Sequence, residues 1–172
     1  MEFEEVIKER YSVRSFSDRE IEQEKLEKIL EAGRIAPTAA NFQPQRVYVI
    51  KSEEGMRKLS SVCHMLYDAP VVLLVCADMN ISWKIKQDGD FDSADMDAAI
   101  AGTHMMLEAW NLGIGSCWIR AFNSIDMHEA FMLPPNIKPK FLLPIGYRAE
   151  DSEPNKKMHF ARNSMDEMVT YV

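Results

Sequence analysis

Apolar and polar positions divide the chain into a clear succession of elements. Phe3, Val6 and Ile7 recur at helical spacing, and the short helix they predict runs into Glu9-Arg10-Tyr11-Ser12-Val13-Arg14-Ser15-Phe16. Ser17 to Glu20 reads as a turn. Glu22 to Ala32 carries Leu26, Ile29 and Leu30 at helical spacing, with Gly33 as its C-terminal stop. A loop bracketed by Pro37 and Pro44 leads to a strand over Arg46 to Ile50. Glu53 to Cys63 is a helix with Met56, Leu59 and Val62 inward. Pro70 to Cys76 is continuously apolar, the mark of a central strand buried on both faces.

Asp78 to Ser93 is polar around Trp83 and lacks a period, so it is either a lid or a segment with its own function. The strongest helix runs from Ala94 to Leu112. Met96, Ala99, Ile100, Thr103, Met106, Leu107 and Trp110 populate more than one of its faces, which predicts a core helix. Gly113 caps it, and Ser116 to Ile119 continues as a strand. Ser124 caps a short helix through Phe131. Phe141 to Tyr147 is a last buried strand whose Pro144 implies an edge or a bulge. The tail is polar as far as Arg162, and Met168 to Val172 is apolar and strand-like. Such a terminal strand pairs with a sheet edge, in its own subunit or a neighbour's.

Composition narrows the partners. The 172 residues make one domain of ordinary size, and a net charge of -7 argues against nucleic acid or an anionic membrane. Cys63, Cys76 and Cys117 sit in apolar surroundings without metal-ligand spacing and read as buried free thiols. Neither a signal peptide nor an apolar run near the ~20 residues of a membrane span is present, which places the chain in a reducing cytoplasm.

Against that acidic background, Arg10 and Arg14 with Ser12 between them outline an anion site. Two solvated arginines at a helix C-terminus is the plainer alternative. Ala36-Pro37-Thr38-Ala39-Ala40-Asn41-Phe42-Gln43-Pro44-Gln45 offers amides in a loop with fixed ends, or an ordinary proline-bounded connection. Gly113-Ile114-Gly115 leaves a helix and enters a strand, the wrong order for a dinucleotide fingerprint. Asp88, Asp90, Asp92, Asp95 and Asp97 lack calcium-loop spacing and read as a solvated loop and helix start. His104 reads as a packed, hydrogen-bonded core residue, while His64, His128 and His159 lack nucleophiles nearby. A chain without a side-chain nucleophile or acid–base pair either binds a ligand or lets a cofactor carry the chemistry.

Three motifs in order, Arg10 to Phe16, Ala36 to Pro44, and the long helix ending in Leu112-Gly113-Ile114-Gly115-Ser116-Cys117-Trp118-Ile119, give the chain its resemblance to the nitroreductase family of flavoenzymes. The likeness spans nearly the whole sequence, as a short member. It implies an α+β fold, a central mixed sheet flanked by helices, with the C-terminal segment exchanged between the subunits of a homodimer. FMN would sit in sites built from both subunits. Carried over by position, Arg10 and Ser12, with Tyr11 between them, hold the phosphate and ribityl chain, and Arg14 faces the pyrimidine edge. Pro37, Thr38, Asn41 and Gln43 approach from the partner subunit.

The stretch from Gly113 to Ala121, including Trp118, Ile119 and Arg120, lines the ring, and a main-chain N–H near Arg120 or Ala121 meets N5. Flavin N5 rather than a side chain carries the chemistry, and no metal is implied. Arg162 matches a basic position on the phosphate. Phe160 stands where many members have a second basic residue, a loss that Lys156 or Lys157 is placed to compensate. The implied activity is ping-pong transfer of hydride from NADH or NADPH to a nitroaromatic or quinone, with Trp83 and its segment as a cover. A flavin-handling protein without nicotinamide turnover is the alternative.

Overall fold

The computed structural model describes residues 1–89 and 91–172, so what the sequence suggests for Asp90, and for the side chain of Asp88, lies outside the described residues. The elements in order are α1 (Phe3–Glu9), α2 (Gln23–Arg34), β1 (Gln45–Ile50), α3 (Glu53–Val62), β2 (Val71–Asp78), β3 (Lys84–Ile85), β4 (Phe91–Asp92), α4 (Ala94–Asn111), β5 (Gly115–Ser116), α5 (Ser124–Ala130), β6 (Ile137–Gly146), α6 (Lys156–His159) and α7 (Met165–Met168). No described helix is long and apolar enough to cross a membrane.

The main sheet has the order β1-β2-β6-β5, with antiparallel neighbours. A parallel bridge from Ser12 to Ser116 makes it mixed. β2 is the interior strand that the apolar run Val71–Cys76 predicts, and its alternate residues feed two separate cores. Val72, Leu74 and Cys76 meet Val6, Leu59 and Met127 on one face. Leu73 and Val75 meet Leu26, Ile29 and Met105 on the other. Cys63, Cys76 and Cys117 are free and buried, as their apolar surroundings imply. Burial pushes the Cys76 thiol up to about 12, which leaves it protonated and inert at neutral pH.

Pro144 lies on β6, between β2 and β5, and so stands on an inner strand rather than an edge. Its carbonyl accepts from the Cys117 N–H at 3.1 Å. N and O of one strand residue point the same way, so the missing N–H faces the irregular segment after β5, where a single ladder bond is lost. The register shift falls instead at Val75/Cys76. α5 is capped by Asn123, whose side chain accepts from the Ile125 and Asp126 N–H groups, while Ser124 lies inside the helix.

Helix α4 departs further from its sequence pattern. Its buried face consists of Ala94, Asp97, Ala98, Ala101, Gly102, Met105, Ala109 and Trp110. Met96 and Thr103 are exposed, and Ile100, Met106 and Leu107 are half-buried. The cause is close approach: a Cβ on Gly102 would stand 2.3 Å from Phe141 Cζ and 2.8 Å from Trp118 Cζ3. Gly33, within α2 rather than ending it, meets the same helix, with an added Cβ 2.7 Å from Met105 Cγ. Small residues therefore take the contacts and the larger apolar ones face outward. Gly113, at φ +79°, ends α4 as expected. His104 lies on the outward side with Phe3, Thr103 and Leu107, half-buried and without a hydrogen-bond partner among the described residues, rather than in the core.

The tail does not form the strand its pattern suggests. Met165–Met168 is a helical turn, and beyond it Tyr171 is 94% exposed. Among the described residues, no sheet edge of its own subunit pairs with it.

Phe141 is pinned against Trp118, so it cannot yield to a new methyl group. Gly102→Ala is expected to destabilise the fold by about 1–3 kcal/mol, read as a lower denaturation midpoint with unchanged m-value.

Candidate functional site

The segment after α1 is extended, and its side chains alternate. Tyr11, Val13 and Phe16 are buried, whereas Ser12 and Arg14 turn away from the core. The Val13 N–H donates to Ser116 O at 2.9 Å. Tyr11 stands edge-on to Trp110 at 5.3 Å, and its hydroxyl donates to Ser152 O at 2.8 Å. These contacts fix the backbone, and Arg10, Ser12 and Arg14 open onto one cavity of about 170 Å³. Asn155, Met158, His159 and Arg162 close it from the C-terminal part of the chain.

The cavity is cationic. Burial, and then the charge of Arg162, hold the Arg10 guanidinium below its ordinary range. Arg14 donates to Ser12 O, and Arg162 to Met158 O and Ala161 O. The arginine ion pairs among the described residues belong elsewhere, to Arg19, Arg34 and Arg46. Three guanidiniums beside a hydroxyl, without a carboxylate, suit a phosphate group. Lys156 and Lys157 are exposed and do not line the cavity, and Lys156 faces Glu153 at 3.9 Å. The residue that does line it is His159, which sequence reasoning passed over for want of a nucleophile. Its position beside Phe160, where a basic residue was missed, was the available signal.

The stretch after α4 is joined to the arginine segment through the Ser12–Ser116 bridge. Arg14 is near enough for its charge to oppose the rise that burial imposes on the Cys117 thiol. Ile119 is buried and exchanges both backbone hydrogen bonds with Leu142, at 2.9 and 2.8 Å. The next two N–H groups, of Arg120 and Ala121, have no acceptor among the described residues. Trp118 stacks on Phe141 with ring centroids 3.6 Å apart. Together with Arg120 these rings line a second, larger cavity of about 610 Å³, bordered by Ala99, His128 and Lys138. Trp83 is not part of its wall. It packs edge-on to Phe91 at 6.2 Å, next to the β3–β4 hairpin.

The amide loop stands apart. Pro37, Asn41 and Gln43 are exposed and Thr38 is half-buried, and none of them lines the arginine cavity. Gln45 pairs with Ala77 at one end of β2, while Ser116 pairs with Ile145, the partner of Val71, at the other. Six residues of strand, about 20 Å, separate the two ends. The loop is strained: Ala40, Asn41 and Gln43 have φ of 49°, 57° and 53°, a conformation that asparagine tolerates but that costs about 1 kcal/mol or more at Ala40 and at Gln43.

Asp97 holds that conformation. Its carboxylate accepts the Ala39 N–H at 2.8 Å and the Ser93 hydroxyl at 2.7 Å. Thr38 Oγ1 accepts the Gln43 N–H, and Pro44 O accepts the Asp78 N–H. Asp97 is 1% exposed, against the solvated acidic run that the sequence suggests. Its place on the stripe Ala94, Ala98, Ala101 marked it as inward-facing.

A sequence profile described as Nitroreductase family matches residues 7–66 and 61–147. The fold is similar to the crystal structure of a nitroreductase family protein from Clostridium difficile 630, with 43% identity, a TM-score of 0.92, and 99% of this chain and 98% of that one covered. A protein of Methanothermobacter thermautotrophicus bearing the provisional name NADH dehydrogenase/NAD(P)H nitroreductase is 32% identical over 88% of this chain and 80% of its own length. The FMN reductase [NAD(P)H] of Bacillus subtilis is 30% identical over 94% of this chain and 71% of its own.

Asp97→Ala leaves the Ala39 N–H and the Ser93 hydroxyl without their acceptor. A loss of about 1–3 kcal/mol is expected, with faster amide exchange at Ala39. Asp97→Asn, which can accept from Ala39 and donate to Ser93, should recover most of it.

Proposed function

Because the chain belongs to the nitroreductase family, we propose that it is an FMN-dependent oxidoreductase, one domain over residues 1–172, that passes electrons from NADH or NADPH to an electron-poor aromatic acceptor. The observation that carries this reading is the arginine cavity: three guanidiniums without an ion pair among the described residues, and a hydroxyl, line a space suited to a phosphate. FMN supplies reversible two-electron chemistry at its ring when bound. Arg10, Ser12 and Arg162 hold the phosphate, with Tyr11 fixing the backbone between them. Arg14 sets a positive charge where the reduced ring gathers negative charge. The N–H of Arg120 or Ala121 donates at the reacting edge, and Trp118 and Ile119 form the wall beside it. The open Trp118 cavity receives reductant and acceptor in turn, the order that a ping-pong mechanism requires.

The amide loop enters from a second copy. One chain's loop and arginine cavity lie about 20 Å apart along β2, so Pro37, Thr38, Asn41 and Gln43 serve the site across a homodimer interface. The outward face of α4, with Ile100 and Leu107, and the exposed Phe3 and Ile7 of α1 supply its apolar area. β1 is an open sheet edge with Val49 exposed, along a groove of about 600 Å³. The apolar tail, Met168 to Val172, suits that edge on the partner.

The purified protein is expected to be yellow and to bleach on anaerobic addition of NADPH or NADH. Colourless protein that takes up no FMN would refute the reading, and bound FMN that neither donor bleaches would favour flavin handling instead. Arg14→Ala is expected to keep the dimer but lower the potential of the bound flavin, seen by spectroelectrochemistry. Ile100→Glu should yield monomer on sedimentation and lose FMN with it, because half of each site goes with the partner.

A further inference from the structure

We propose that His159 is a ligand of the phosphate in the arginine cavity and takes up a proton from solvent as that dianion binds. The inference rests on the FMN reading and goes beyond it, since His159 lines the same cavity as Arg10, Arg14 and Arg162.

Within α6, Lys156, Lys157 and Met158 are exposed and His159 is half-buried. Its ring stands edge-on between Tyr11, at 6.1 Å and 75°, and Phe160, at 4.7 Å and 74°. Contact with the buried Tyr11 sets the imidazole at the wall of the cavity that it helps to line. Neither ring nitrogen has a hydrogen-bond partner among the described residues, whereas Nε2 of His128 lies 3.1 Å from Pro134 O. The charged and titratable groups facing the same space are Arg10, Arg14 and Tyr11 from the segment after α1 and Arg162 from its own side. Behind Tyr11, α4 presents Trp110, covered by Arg148 at 4.7 Å. Lys156 is turned to Glu153 and Lys157 to solvent.

A phosphate monoester loses its second proton near pH ~6, so at pH 7.5 the ligand arrives as a dianion. The dianion favours the imidazolium, which binds one proton from solvent and donates its N–H to a phosphate oxygen. The guanidiniums stay charged throughout, so this proton is the one that moves.

Titration calorimetry of the full-length chain, freed of flavin, in buffers of differing ionisation enthalpy at pH 7.5 reads that proton directly. Binding of FMN is expected to take up a measurable fraction of a proton per site, and binding of riboflavin, which lacks the phosphate, none. His159→Gln should abolish the uptake and weaken FMN about tenfold, with riboflavin affinity unchanged. His159→Lys should restore FMN affinity without proton uptake, because its charge is permanent. Equal uptake and equal FMN affinity in the unaltered chain and His159→Gln would overturn the assignment. If the unaltered chain bound no FMN at all, the cofactor reading itself would fall, an outcome distinct from the first.

Discussion

The hydrogen bond from the Val13 N–H to Ser116 O, with Tyr11 and Val13 buried on either side of it, is the contact on which the rest of the site depends. It lays an extended segment beside β5, and extension is what sends Arg10, Ser12 and Arg14 to the same side. Holding Arg10 beside Arg162 without an acid is unfavourable, as the depression of Arg10 by burial and by its neighbour's charge indicates. Burial of Tyr11, Val13 and Phe16, at roughly 1.5–3 kcal/mol for each large apolar side chain, readily offsets it. The fold thus tolerates a local excess of cations within a chain of net charge -7. An anion that fills the cavity removes that repulsion, so ligand and fold stabilise one another.

A second constraint acts at α4. Its small residues bring it so close to the sheet that Trp118 and Phe141 stack in the space that a Gly102 side chain would fill. That stack forms the wall of the larger cavity. The same closeness leaves Ile100, Met106 and Leu107 only half-buried. Near its N-terminus the helix carries Asp97, whose carboxylate holds the strained amide loop in place. One helix therefore shapes the cavity wall, anchors the loop and presents apolar surface outward.

Much of this was legible beforehand. β2 was recognisable because an unbroken apolar run suits a strand covered on both faces, and Gly113 because a left-handed residue ends a helix there. The three motifs announced the family because three of them in one order are far more specific than any one alone. The burial of Asp97 was legible only in its place on the small-residue stripe of α4; what it holds was not, since its partners, Ala39 and Ser93, are brought to it by the fold. Pro144 misled for a related reason: an interior strand accepts a proline where the neighbouring strand is already irregular.

By itself, the sequence determined what depends on neighbours along the chain: the periodicity of helices and strands, the short run that sets Ser12 between Arg10 and Arg14, and the family to which the order of the motifs belongs. Only the tertiary structure decided what depends on residues far apart. It brought Arg162 and His159 to the early arginines, left Lys156 and Lys157 outside, and put the amide loop at the opposite end of β2 from the cavity. The physical reason is that side-chain pattern reports which face is apolar, whereas the meeting of two polar groups is set by the path of the backbone between them.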